Sequence, residues 1–325
     1  MIQYLLRRVL YALPILLAIN VITFVLFFMV NTPDDMARLH LGNKNVTQAA
    51  VNNWKVEHGY QWPLFLNTNA QGALKLTETL FFQKSLKLFL FDFGRSDGGR
   101  DISYDISTRM WASLAIALPL LFIGLLVDIL FAIVMVLFKD SLFDISGVVF
   151  CTLLMSISSL FYIIGGQFLF GKLLKWFPIS GYDGGFESIR FVLLPIMVAL
   201  ISGLGGSARW YRTLFLEEVN KDYVKTARAK GLSWFTVLRR HILKNAMLPI
   251  LTGIVVIIPS LFMGSLILES FFGVPGLGSY IIDAIVQQDF AIVRAMVFLG
   301  SMLYILGLIL TDVTYTIADP RVRLS

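Results

Sequence analysis

Apolar residues in this chain come in blocks of membrane-spanning length. Residues 9–30, 112–138, 145–170, 191–208, 247–268 and 292–317 are each almost free of charge. A hydrocarbon core is crossed by roughly 20 apolar residues in helical form. Lipid offers no water to peptide groups, so each block is predicted to be a helix that satisfies its own backbone. Pro14, Pro119, Pro195, Pro249 and Pro259 fall in or at the ends of these blocks. Neighbouring helices in a bundle absorb such kinks. The pattern therefore predicts an all-α polytopic membrane protein with six transmembrane helices. The longest polar stretch, residues 31–110, carries the turn signals "NTP", "GYQWP" and "SDGG". Within it "TLFFQKSLKLFLF", residues 79–91, is too short to span. It suits either a helix lying on the membrane surface or one packed against the bundle.

Composition agrees with this division. Hydrophobic residues make up 57% of the 325, charged residues only 15%, and mean hydropathy is +0.76; soluble domains carry about 25% charge. Arg7 and Arg8 precede an apolar run longer than the ~7–15 residues of a signal peptide, which predicts an uncleaved first helix. The net charge of +6 is not gathered into a basic domain of the kind that binds nucleic acid. It marks loops instead: Arg7 and Arg8, nine Lys/Arg from Arg209 to Lys244, and Arg321 with Arg323. With six spans these fall on one side, which the positive-inside rule makes cytoplasmic, together with both termini. The loop 270–291 has no Lys or Arg and belongs outside. Lys172, Lys175 and Arg190 are a minority against this orientation. The expected organisation is a cytoplasmic N-terminus and first helix (1–30), an extracytoplasmic segment (31–110), helices two to six (111–318) with a cytoplasmic helix near 217–245, and a cytoplasmic C-terminus (319–325).

Motifs for chemistry are scarce. "GQFLFGKL", residues 166–173, has the glycine–lysine spacing of a phosphate loop but lacks its Ser/Thr and any preceding strand. "GLGGSA", residues 203–208, imitates a dinucleotide fingerprint at the end of a membrane helix, where small residues for close helix contact are the better account. His40, His58 and His241 form no metal-ligand pair, and the single Cys151 forms no disulfide. No catalytic, cofactor or metal constellation emerges. Asp128, in the middle of the second block, is either a functional intramembrane acid or a structural one hydrogen-bonded to Thr152 or Ser156. As a proton carrier it would make the chain a self-contained secondary transporter; a non-transporting membrane scaffold is a further reading.

The most distinctive polar stretch is "DYVKTARAKGLSWFTVLRRH", residues 222–241. Gly231 suits a left-handed helix stop and Ser233 an N-cap. Phe235, Val237, Leu238 and Ile242 fit the inward stripe of a second short helix. The result is a helix–turn–helix that either docks a partner or is an ordinary basic loop.

Five segments together resemble a known family. "DFGRS" (92–96), "WFPISGY" (176–182), "EEVNKDYVKTARAKGLS" (217–233), "ESFFGVPGLG" (269–278) and "DPRVRL" (319–324) resemble, in order, segments of the inner-membrane permease subunits of ABC importers for dipeptides and oligopeptides, a permease type shared with nickel importers. The resemblance implies a type I importer permease fold in the bacterial inner membrane. It implies a second homologous permease, two cytoplasmic ATPase subunits that bind ATP and Mg²⁺, and an extracytoplasmic binding protein as partners, with no cofactor in this chain. It makes Lys225, Thr226, Ala227, Arg228, Ala229, Lys230 and Gly231 the ATPase-coupling segment. Lys225, Thr226, Ala227 and Gly231 take the places of a Glu-Ala-Ala…Gly pattern of which only Ala227 and Gly231 are kept. Ser158, where the family commonly has Pro, and Asp128, where it is usually apolar or Gly, depart from the pattern. Substrate-binding residues and substrate identity stay open.

Overall fold

The computed structural model describes residues 2–42 and 46–318, and side chains in 6–42 and 46–314. The "DPRVRL" segment and the expected C-terminal tail 319–325 lie outside the described residues. The helices are α1 (Ile2–Val25), α2 (Pro33–Leu41), α3 (Gln48–Glu57), α4 (Leu74–Thr77), α5 (Leu80–Lys84), α6 (Ile102–Leu137), α7 (Leu142–Ser156), α8 (Ser159–Gly166), α9 (Ser188–Val219), α10 (Asp222–Ala229), α11 (Trp234–Val237), α12 (Leu243–Ile257), α13 (Leu266–Phe272), α14 (Leu277–Val286) and α15 (Phe290–Ala318). Five stretches are long and apolar enough to cross a membrane: Leu6–Val30, Ile102–Leu137, Gly185–Val219, Trp234–Met263 and Phe290–Thr314. Two bent pairs, Leu142–Ser156 with Ser159–Leu173 (86°) and Leu266–Phe272 with Leu277–Val286 (84°), raise the candidate spans to seven.

Hydropathy located the blocks but not their breaks. The block 145–170 is split where Ile157 and Ser158 turn extended. The stretch 270–291, expected as a loop, contains the helix α14. The segment expected to be soluble through residue 110 ends earlier, because α6 begins at Ile102. Asp101 starts that helix by accepting the Tyr104 N–H at 3.0 Å; a polar first turn hides it from hydropathy.

The chain forms two compact units, Met1–Thr108 with Ile281–Ile309, and Arg109–Tyr280 with the residues from Leu310. In the first unit, α2 starts at a capping box: Asp35 N–H donates to Thr32 Oγ1 at 3.3 Å and Thr32 N–H returns to Asp35 Oδ2 at 3.1 Å. Lys55 of α3 binds Asp34 at 2.6 Å. Phe24, Phe28, Met36, Val51, Trp54, Tyr60 and Leu80 form one core. The 79–91 segment is therefore packed, with Leu80 and Leu88 buried and Phe81 edge-on to Phe24. "DFGRS" folds a tight loop: Ser96 N–H donates to Arg100 O at 2.8 Å and Ile102 N–H to Gly94 O at 3.2 Å. Asp97 N–H then donates to Asp289 Oδ2 at 3.0 Å.

Two cores of the second unit bear on the site. Ala112, Ile116, Ile163, Leu194, Val198 and Phe272 belong to one. Phe215, Val224, Val237, Leu238, Ile242 and Ile250 belong to the other. "ESFFGVPGLG" owes its shape to Glu269, whose side chain is buried. Gly273 ends α13 in the left-handed region (φ +64°). The chain turns, and the Glu269 carboxylate accepts the N–H groups of Gly278 (2.8 Å) and Ser279 (3.2 Å) in the first turn of α14. Its other oxygen accepts Ser265 N–H at 3.0 Å. Ser113 of α6 accepts Leu277 N–H at 2.8 Å and donates to the same carboxylate. A side chain at Gly276 would meet that carboxylate, and one at Gly278 would meet the Ser265 carbonyl carbon at 2.6 Å. "WFPISGY" closes on the same place, because Gly181 N–H donates to Phe272 O at 2.8 Å. Gln167 donates to Ile179 O (3.1 Å) and Phe271 O (2.9 Å).

Two outcomes follow. Glu269→Ala leaves three or more buried donors unmet and is expected to cost several times the ~1 kcal/mol of a typical hydrogen bond. Glu269→Gln, which keeps an acceptor oxygen, should cost less; equal losses of thermal stability in detergent would refute the capping role. Lys84 Nζ donates to His58 O at 2.7 Å and lies 4.6 Å above the Tyr60 ring. Burial, then Arg294, lower its pKa from 10.5 to about 8. Between those values the unfolded chain binds more protons, so stability should rise as pH climbs from about 8 to 10.5. A lysine-amine NMR titration of Lys84 with a midpoint above 10 would contradict this.

Candidate functional site

Two features of the second unit stand out: the turn that follows α9, and a cavity between α6, α9 and α12. The turn begins where α9 stops at Val219. Lys221 is extended and α10 starts, with Asp222 in its first turn, where the helix dipole favours an acid. Gly231, at φ +80°, ends it. Gly231 N–H donates to Arg228 O (2.9 Å) and Leu232 N–H to Ala227 O (3.4 Å), the paired bonds of a Schellman stop. Nothing crowds a Cβ at Gly231, so backbone conformation alone requires glycine there. Ser233 Oγ then accepts Thr236 N–H at 3.3 Å and starts α11.

The seven coupling candidates divide by face. Ala227 is buried beside Val224. Lys225, Thr226, Arg228, Ala229, Lys230 and Gly231 are exposed. Lys225 Nζ binds Asp222 at 2.8 Å, which holds the Asp222 carboxyl below its ordinary range. The Arg228 guanidinium lies over the Trp234 ring at 5.2 Å. Tyr223 donates to Glu218; burial, then this bond, push the Tyr223 hydroxyl up to about 12. Val237, Leu238 and Ile242 pack inward as expected, but Phe235 does not. It is 61% exposed, because one turn of α11 cannot aim both Phe235 and Val237 at the same core. Leu232, also exposed, escaped the sequence reading, as no periodicity assigns a turn residue to a face.

The cavity, open to the surface of the chain, has a volume of about 660 Å³. Its walls are Leu120, Leu121, Gly124 and Leu125 from α6, Leu200, Gly203, Gly206 and Trp210 from α9, and Gly253, Ile254 and Ile257 from α12. Asp128, Ser207 and Tyr211 supply its side-chain oxygens. Asp128 is half-buried and takes a hydrogen bond from Ser207, not from Thr152 or Ser156. Those two hydroxyls bond carbonyls of their own helix, Val148 O and Thr152 O, both at 2.8 Å. The glycines of "GLGGSA" serve two purposes. Gly205 lets α9 touch α7, where a Cβ would lie 2.5 Å from Cys151 O. Gly203 and Gly206 have nothing within 4 Å and open onto the cavity. "GQFLFGKL" is helical, with Gly166 and Gly171 packed against Val198 and Ile179. Arg212 on α9 forks onto Asp144 on α7 at 2.8 and 2.7 Å. No group of three or more His, Cys, Asp or Glu able to hold a metal occurs among the described residues.

A helical polytopic chain with an exposed turn after one span, and a cavity between that span and two others, has the architecture of a membrane transport component. Comparison with known proteins supplies the family. Residues 129–324 match the model of the binding-protein-dependent transport system inner membrane component, and residues 1–70 match that of its N-terminal part. A protein of Brucella abortus (strain 2308) that carries the provisional name peptide transport system permease protein is 34% identical over 325 residues, covering 98% of each chain. The oligopeptide transport system permease protein AppB of Bacillus subtilis (strain 168) is 29% identical over 332 residues, 99% of this chain and 100% of its own. OppB of Haemophilus influenzae, likewise an oligopeptide transport system permease protein, is 26% identical over 330 residues. The chain belongs to the inner-membrane permease family of binding-protein-dependent ABC transport systems. It is a multi-pass permease subunit and not itself an ATPase.

The Asp144–Arg212 fork predicts an asymmetry. Arg212→Ala strands a buried carboxylate and should lower stability by roughly 3–5 kcal/mol. Replacing both partners together, Asp144→Asn with Arg212→Met, should recover most of the loss. Thermal unfolding in detergent reads both, and a double variant as unstable as Arg212→Ala would overturn the account.

Proposed function

We propose that this chain forms half of the transmembrane path of an ATP-driven importer for peptides, and that α10 with Gly231 is the handle by which an ATPase moves it. The second half is a homologous permease. Two cytoplasmic ATPase subunits bind ATP and its Mg²⁺, and an extracytoplasmic binding protein delivers the substrate. The names of the full-length relatives support the peptide assignment. On this reading residues 217–245 and both termini are cytoplasmic, and the segment that follows the first span faces outward.

The observation that carries the coupling role is the one-sided burial of α10. Val224 and Ala227 fix it to the core that includes Phe215 of α9, while Ala229, Lys230 and Gly231 remain free. A push on the free side is passed through packed side chains to α9. Small residues there let a groove approach the backbone closely. Lys225, standing where the related pattern has Glu, presents a cation paired with an exposed Asp222, so it suits an acidic partner.

Ala229→Trp should fold normally, since exposed positions tolerate substitution within about 0.5 kcal/mol. It should reduce ATP-driven tri-alanine uptake in proteoliposomes by about tenfold or more, an obstruction of ~1.4 kcal/mol, and release the ATPase on co-purification. Unchanged uptake with the ATPase still bound would remove the coupling role.

A further inference from the structure

We propose that the cavity between α6, α9 and α12 is a binding subsite for a primary ammonium group, with Asp128 as its counter-charge. The peptide identity of the ligand rests on the importer reading above; the charge selectivity of the site does not.

Asp128 stands in a membrane-spanning helix and faces a space of about 660 Å³. That volume is within the range of sites for small organic ligands, which are mostly apolar with a few placed polar groups. Acids in spanning helices face the bundle interior or a wet cavity and take a partner. Asp128 has one hydroxyl, from Ser207, and forms no ion pair among the described residues. Cations further along α9 are turned elsewhere. Arg212 is committed to Asp144, and Arg209 points to Thr152 Oγ1 at 3.4 Å and Met155 Sδ at 3.7 Å. The negative charge is therefore left for a ligand.

The lining narrows the chemistry. A divalent cation wants about six oxygens, more than Asp128, Ser207 and Tyr211 supply. An ammonium needs only a carboxylate, a hydroxyl and aromatic faces, and Trp210 and Tyr211 stand edge to face beside the acid. Gly203 and Gly206 leave backbone bare along one wall, so the body of a short peptide fits beside its charged end. The ammonium is either the α-amino terminus or a lysine side chain.

The assembled transporter, with Cys151→Ser and Leu121→Cys placing one thiol on the cavity wall, tests this in nanodiscs without the binding protein. With each rate divided by that of the same reagent with free cysteine, a trimethylammonium-bearing thiosulfonate should modify the thiol about tenfold faster than a sulfonate-bearing one, as attraction to a nearby carboxylate requires. Asp128→Asn should abolish that preference and Asp128→Glu should keep it. Equal rates for the two reagents, no reaction with either, or a preference that survives Asp128→Asn overturns the proposal. So does an Asp128→Asn chain that no longer assembles with its partner permease, since that assigns the acid to the subunit interface. Tri-alanine should protect the thiol and N-acetyl-tri-alanine should not. Protection by N-acetyl-Ala-Lys-Ala alone would move the ammonium to the side chain. A cation preference with no protection by any peptide keeps the subsite and removes the peptide reading.

Discussion

A peptide group in hydrocarbon has no partner except another peptide group or a side chain brought to it. That constraint explains the five unbroken spans, and more tellingly it explains the break between α13 and α14. An 84° bend frees the first N–H groups of α14 and the last carbonyls of α13. Glu269 answers the N–H groups of Gly278 and Ser279, Ser113 answers that of Leu277, and Gly181 and Gln167 answer the carbonyls of Phe272 and Phe271. Segments around residues 113, 167, 181 and 269–279 are thus tied at one point, which is why "WFPISGY" and "ESFFGVPGLG" occur together. The Gly181 N–H of the one closes the Phe272 carbonyl that the bend in the other opens.

The same logic shapes the turn after α9. A helix that leaves its span must end, and the Schellman stop at Gly231 does so without help from water or lipid. The turn is rigid because Val224 and Ala227 on one side and Val237, Leu238 and Ile242 on the other share a core with Phe215. The fork of Arg212 onto Asp144 ties α9 to α7. A force on α10 therefore meets a packed lever, a property of close-packed interiors.

Local chemistry was legible in the sequence wherever one residue decides it. Gly231 as a left-handed stop, Ser233 as an N-cap and, of the "GLGGSA" glycines, the close approach at Gly205 follow from what those residues are. The break at residues 157–158 was not legible, since Ile157 and Ser158 are as apolar or neutral as a continuous helix would be, and α14 was missed inside a stretch expected as a loop. Hydropathy reports the solvent a segment lives in, and has no sensitivity to whether its hydrogen bonds run straight. Phe235 failed for a related reason. Periodicity over four residues does not fix a face, and the core contacts that do are distant in sequence. The partner of Asp128 was equally hidden, because Thr152 and Ser156 satisfy themselves on their own helix while Ser207 is free to turn.

Asp144, Glu269 and Asp128, carboxylates of the second unit that lie in apolar spans or bent pairs, are each answered differently. Asp144 has a forked guanidinium and a backbone N–H from Asp140 at 3.2 Å. Glu269 has no ion-pair partner among the described residues, yet its two oxygens accept three backbone N–H groups and a hydroxyl, and partial charges from a helix start do the work of a counter-ion. Both are sealed into structure. Asp128 has a single hydroxyl and an open cavity. A structural acid gathers donors until its charge is spread over them; Asp128 has been left short of donors at the one place where three helices withdraw their side chains to glycine. The difference in solvation among three residues of the same type separates the acids that hold this unit together from the one positioned to meet something that enters it.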